Sequence, residues 1–316
     1  MAHVTFIHGI ANKPEGEALL RIWLQALAHN DGLDLGAEGV TTSMIYWADV
    51  MYDKPMPDDG SYESAADPEL ESLRQEGVTA EAAADWRAEL SPSERAQVEA
   101  LARELGADEP DGAPQSPVDA PLAPGLERVP LPWSVKKPMM ERLLRDVHHY
   151  LFNTSFSPRP GTTYAVQDEI RARTLQALKD GSEQAGDGAH VVVSHSMGTV
   201  IAYDCLKRVD GCTKVSGLMT VGSPLGLDEV QDMMQPGWSR QNGFPADRVA
   251  ERWVNVFDHL DPVAGFDPHL ANDFRREGAA AVEDINEQNW GLWRHSATKY
   301  LKGAKLRRAL AEMLHV

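Results

Sequence analysis

The chain has 316 residues, 42% of them hydrophobic, which is enough for one large α/β domain with an insertion or for two small domains. Its 48 acidic against 30 basic residues give a net charge of −18, which disfavours nucleic acid and anionic membrane surfaces as partners. No apolar run approaches the twenty residues of a membrane span, and the first residues read almost at once as a buried strand, so no secretory leader is expected. Cys205 and Cys212 cannot build a disulfide framework, so a cytoplasmic location is expected.

Taken in chain order, residues 3–8 (HVTFIH) read as the first strand. An apolar helical stripe follows, Leu19, Leu20, Trp23, Leu24 and Leu27, and then a second strand at 42–47. Residues 51–160 break the alternation. Eighteen acidic and five basic residues fall between positions 53 and 125. Residues 67–105 read as acidic, Ala-rich helix. Eight prolines between 110 and 138 read as a surface loop. Residues 138–152 read as an amphipathic helix with Met139, Met140, Leu143, Leu144, Val147 and Leu151 on its apolar side. His148 and His149 are adjacent on that helix, share no face, and are read as ordinary helix residues. The segment contains no strong strand and is expected to form a cap or lid inserted into a core made of 1–50 and 161–316. That core continues with a helix on Val166, Ile170, Leu175 and Leu178, strands at 190–194, 215–221 and 252–257, a weaker strand at 281–285, and a closing helix over 297–315. Such alternation implies βαβ crossovers and a mostly parallel sheet with helices on both faces.

The strongest chemical signal is HVVVSHSMGTVIAYDCL, a buried strand running through Ser194-His195-Ser196-Met197-Gly198 into an apolar helix. A serine hydroxyl becomes a nucleophile when a sharp strand-to-helix turn exposes it and a base stands beside it. Small residues two before and two after it let strand and helix backbones pass closely. Gly198 is one of them, and Ser194 stands where glycine is usual. Backbone N–H groups can hold a developing oxyanion, one from the residue after the serine and one from the loop after the first strand. Met197 and Ile10 occupy those positions, with Gly9 allowing a close turn and His8 and His195 in support. An acid in the loop after a late strand, followed in sequence by a histidine, completes the order Ser, Asp, His. Asp261, before Pro262-Val263, is the first choice for the acid and Asp258 the alternative. His295, just before the last helix, is preferred as base over His259, His269 and His315. The set Asp258, His259, Asp261, Asp267 and His269 offers a competing divalent-metal reading, which ignores the strand-to-helix turn.

On the segments FIHGI (6–10), SHSMGT (194–199), DHLDPV (258–263) and RHSATKY (294–300), in that order, the chain resembles the α/β-hydrolase superfamily and its esterase and lipase branch. The resemblance covers most of 1–50 and 161–316 and leaves the insertion uncovered. It implies a metal-free, cofactor-free acyl transfer through an acyl-enzyme on Ser196, with a small or lipid-like carboxylic ester as substrate. Thioesters or amides are open to the same machinery, and a non-catalytic binding protein on the same fold is the remaining alternative.

Overall fold

The computed structural model describes residues 1–57, 84–104, 144–290 and 294–316. In chain order the elements are β1 (His3–Ile7), α1 (Gly16–Ala28), β2 (Thr41–Ile45), α2 (Ala48–Met51), a 3-10 turn (Ala84–Glu89), α3 (Pro92–Glu104) and α4 (144–151). Next come β3 (Ser155–Arg159), β4 (Thr162–Ala165), α5 (Val166–Ala185), β5 (His190–His195), α6 (Met197–Arg208), β6 (Val215–Val221) and α7 (Asp228–Asp232). The chain closes with β7 (Val249–Phe257), β8 (Val282–Asn286), α8 (Ala297–Leu301) and α9 (Ala304–Leu314).

Six strands form one parallel sheet in the order β2-β1-β5-β6-β7-β8, and the fold is of the α/β class. A parallel sheet needs both faces covered, and its central strands carry no polar face. The sequence obeys this, since every residue of β1 and β5 is buried. Alternate side chains serve the two faces. Val4, Phe6, Val191 and Val193 pack with Leu19, Ile22 and Trp23 of α1 and with Leu306, Leu310 and Met313 of α9. Ile7, Val192 and Leu218 pack on the other side with Ile170 and Leu178 of α5 and Val200 and Ile201 of α6.

Chain direction across the sheet reverses between β1 and β5. The crossover after β1 runs outward to β2, and that after β5 runs the other way to β6. In open α/β sheets the crevice beyond the carboxyl ends at such a point is where ligands bind. Register brings those ends level: Ile7 pairs with Ser194, His195 with Val221, Val221 with Val256 and Phe257 with Asn286. The loops starting at His8, Ser196, Gly222, Asp258 and Glu287 therefore open onto one rim.

Two features depart from expectation. β3 and β4 form an antiparallel hairpin around Gly161 (φ 78°), which straddles the 160/161 boundary expected for the insertion. Its residues are exposed or half-buried, so no hydrophobic run announces it. The single closing helix is two, because the Glu287 carboxylate accepts the amides of Lys305 (2.9 Å) and Leu306 (3.2 Å) and starts α9 afresh. A β-carbon at Gly303 would lie 2.4 Å from that carboxylate.

Of the acidic helix expected over 67–105, the described part is the 3-10 turn and α3. The proline-rich stretch, Met139, Met140 and Leu143 lie outside the described residues. Described parts of the insertion pack into the main core: Val98, Leu101, Leu144, Val147 and Tyr150 belong to the same cluster as Ile7 and Ile201. Among the described residues no helix is long and apolar enough to cross a membrane.

Candidate active site

Ser196 stands between β5 and α6 with φ 54° and ψ −127°, a left-handed conformation that L-residues adopt only when their surroundings impose it. Its amide is held by the Val221 carbonyl at 2.9 Å, and its carbonyl accepts the Thr199 hydroxyl at 2.7 Å. The turn is tight enough that a β-carbon at Gly198 would lie 2.6 Å from the Ile7 carbonyl oxygen and 2.7 Å from that of His8. At Ser194 the extra hydroxyl is turned sideways and donates to the Met219 carbonyl at 3.2 Å, so serine fits where glycine is usual.

Three of the sequence candidates come together on the rim. His295 places Nε2 2.8 Å from Ser196 Oγ, and its Nδ1 lies 2.9 Å from both carboxylate oxygens of Asp261. Nδ1 therefore carries the proton, and Nε2 accepts from the Ser196 hydroxyl. All three residues are nearly closed to solvent, at 1% exposure for Ser196, 2% for Asp261 and 4% for His295.

Asp261 also accepts the amides of Val263 (2.7 Å) and Ala264 (3.1 Å) and the Tyr300 hydroxyl (2.7 Å). Burial alone would push its carboxyl up. The His295 imidazole and the donated hydrogen bonds outweigh burial and hold it below the usual carboxylate range. Gly222, at φ 56°, makes room beneath: a β-carbon there would lie 3.2 Å from both Asp261 Oδ2 and His295 Nδ1.

Asp258 does different work. Its oxygens accept the amides of Leu260 (2.8 Å) and Asn289 (2.7 Å) and pair with Arg294 (3.2 Å). It ties the loop carrying His295 to the end of β7. Among the described residues no three histidine, cysteine or acidic side chains converge as a metal site. Asp261 and Asp258 are taken up as described, while His259 and His269 stack edge to face near Phe257.

Two further histidines flank Ser196. His8 donates from Nδ1 to the Gly9 carbonyl at 2.7 Å, accepts the Trp47 amide on Nε2 at 3.0 Å, and stacks on the Trp47 ring. Burial pushes its pKa down to about 3. His195 donates from Nε2 to the His295 carbonyl at 2.8 Å, and burial followed by the nearby His295 keeps its pKa well below the ordinary value. Gly9 lies directly over the serine, where a β-carbon would come within 2.7 Å of Ser196 Cβ. Among the described residues the amides of Ile10 and Met197 have no hydrogen-bond acceptor.

Sequence reasoning missed Tyr300. Its hydroxyl donates to Asp261 and accepts the Asp258 amide at 2.9 Å, so it fixes both ends of the acid loop. The available signal was a tyrosine five residues after His295 in a segment read as helix. The assembly as a whole can draw a proton from Ser196 onto His295 and offer free amides to an oxyanion.

No protein-family model matches the sequence, and no curated protein matches it. The crystal structure of an uncharacterized protein from Pseudomonas aeruginosa aligns with 91% of this chain at 10% identity and a TM-score of 0.29. The chain spans 40% of that protein's length, and a likeness of this degree carries no argument for fold or function.

Proposed function

We propose that the protein is a serine hydrolase of the α/β-hydrolase kind that cleaves carboxylic esters through an acyl-enzyme on Ser196. The observation that carries this reading is the line Ser196 Oγ–His295–Asp261, at 2.8 and 2.9 Å, assembled from three separate loops. A satisfied structural histidine does not need a serine held in a left-handed turn on one side and a buried carboxylate on the other. The strand order and the switch point between β1 and β5 support it.

In the reaction Ser196 Oγ attacks the ester carbonyl while its proton passes to His295 Nε2. The imidazolium is stabilised by Asp261, and the former carbonyl oxygen takes the negative charge beside the amides of Ile10 and Met197. Collapse expels the alkoxide, which leaves with the proton from His295. Water then attacks the acyl-serine by the same steps and releases the carboxylic acid and free Ser196. Thioesters and amides follow the same path.

The test is intact-mass spectrometry after a fluorophosphonate probe, followed by p-nitrophenyl esters of increasing chain length. One adduct on the wild type, absent from Ser196→Ala and slow to form on His295→Ala, is the expected result. No adduct on the wild type would overturn the reading in favour of a binding protein on this fold.

A further inference from the structure

α4 lies within the segment inserted between β2 and the rest of the sheet, yet it reaches both sides of Ser196. Asp146, 2% exposed, accepts the Ala11 amide at 3.4 Å and the Tyr52 hydroxyl at 3.3 Å on Oδ2. Its Oδ1 takes Arg145 Nε and Nη2 at 3.1 and 2.8 Å, and the same guanidinium donates to the Tyr52 hydroxyl at 3.0 Å. The carboxylate is therefore locked in place before it meets the loop after β1.

Ala11 has φ 68°, a conformation that is unfavourable for alanine and persists only where its neighbours dictate it. It directly follows Ile10. Four residues after Asp146, and so on the same helical face, Tyr150 donates to Asp204 Oδ2 at 2.7 Å. Asp204 is fully buried on α6, the helix that begins at Met197, and is also paired with Arg171 and Arg208. One turn of α4 thus grips the loop bearing one free amide and the helix bearing the other.

We propose that Asp146 is a positioning residue for the oxyanion hole, holding Ala11 left-handed so that the Ile10 amide faces the acyl oxygen. This rests on the serine-hydrolase reading. A merely structural Asp146 would satisfy a buried amide and influence stability alone. A positioning role is felt where the oxyanion forms.

The experiment compares wild type, Asp146→Asn, Ala11→Gly and the double variant. It measures p-nitrophenyl ester turnover and affinity for an aryl trifluoromethyl ketone, which adds Ser196 Oγ to its carbonyl and leaves an oxyanion. Asp146→Asn should lower kcat and weaken ketone binding by the same factor, between about 10- and 100-fold, with KM unchanged. Ala11→Gly should recover part of that loss in the double variant, because glycine reaches the left-handed region without the penalty.

Ketone affinity equal to wild type in Asp146→Asn overturns the inference, whatever happens to thermal stability. Should that variant fail to fold, Tyr52→Phe loosens the same carboxylate while leaving its arginine, and must weaken ketone binding in the same direction; no change overturns the inference. Fluorophosphonate labelling of the wild type separates the two levels. Labelled wild type with an unaffected Asp146→Asn removes only the positioning role, and unlabelled wild type removes the hydrolase reading and the role with it.

Discussion

Asp261→Asn tests the assignment of the acid most sharply, because the hydrogen-bond directions around it are fixed. Oδ1 accepts two backbone amides, from Val263 and Ala264, so the oxygen of the introduced carboxamide must stay there. The new NH2 is forced to the Oδ2 side, facing His295 Nδ1 and the Tyr300 hydroxyl, while Oδ1, although also 2.9 Å from Nδ1, is already occupied by the two amides. The NH2 can only donate. His295 then accepts on Nδ1, its proton moves to Nε2, and Nε2 can no longer accept from Ser196. The backbone need not move, so the fold is kept while the base is lost. Inverting the tautomer of a serine–histidine pair costs about 10⁴ in kcat, on the order of 5 kcal/mol in the barrier.

Ester turnover with active-site titration measures it, and urea unfolding confirms the fold. Asp258→Asn is the comparison. It weakens the Arg294 pair and the cap on the 287–296 loop, lowers stability by about 1–3 kcal/mol, and reduces turnover far less. Turnover of Asp261→Asn within tenfold of wild type, or a greater loss from Asp258→Asn, would refute the assignment.

Gly9→Ala places a β-carbon 2.7 Å from Ser196 Cβ, which is fixed to the backbone of the turn, and 3.2 Å from both Ser196 Oγ and His195 Nδ1. The loop must shift, and fluorophosphonate labelling should slow by about 100-fold; an unchanged labelling rate would show that this contact is not tight in solution. Tyr300→Phe removes one hydroxyl that serves both Asp258 and Asp261. Asp261 is depressed in the fold, so its contribution is present above the unfolded carboxylate value of about 3.9 and is lost as pH falls through the folded value. Without the Tyr300 donor the folded value rises and that contribution shrinks. The stability gap between wild type and Tyr300→Phe, read from urea midpoints, should therefore be wide at neutral pH and narrow below about pH 4. A gap independent of pH would place the effect of Tyr300 in packing alone.

How much was legible depended on whether a feature is local. Val191–Val193 running into Ser196 and then into an apolar helix is a pattern of one short segment, and the buried strands around it are equally self-announcing. The sheet order and the meeting of positions 196, 261 and 295 follow from connections that are right-handed by default. Between Asp258 and Asp261 the sequence offered only a ranking, Asp261 first for the Pro262-Val263 turn that follows it. Both are followed within a few residues by a turn, and only packing of α8 beneath the loop, through Tyr300, decides which carboxylate faces His295. The β3–β4 hairpin went unseen because its side chains are half-exposed and carry no periodic apolar signal. The break before α9 is set by Glu287, whose partners lie 18 and 19 residues away. Asp146 was invisible for the same reason: its contact with Ala11 spans 135 residues.

His8, His195 and His295 all lie on the loops that meet at Ser196, and their partners separate the one proposed as base from the other two. His8 has both nitrogens engaged, one donating to Gly9 and one accepting from Trp47, and burial keeps it uncharged. His195 is the immediate neighbour of the serine, but its Nε2 proton is committed to the His295 carbonyl and its charge is opposed by burial and by His295 itself. Protonating His195 would place a second cation beside the imidazolium that the proposed mechanism forms, since its ring centre is only 4.7 Å from that of His295. A neutral His195 leaves Asp261 without a competing cation beside His295. The same bond from His195 fixes the backbone of His295, so the histidine excluded from the proposed role of base helps to aim the one assigned to it.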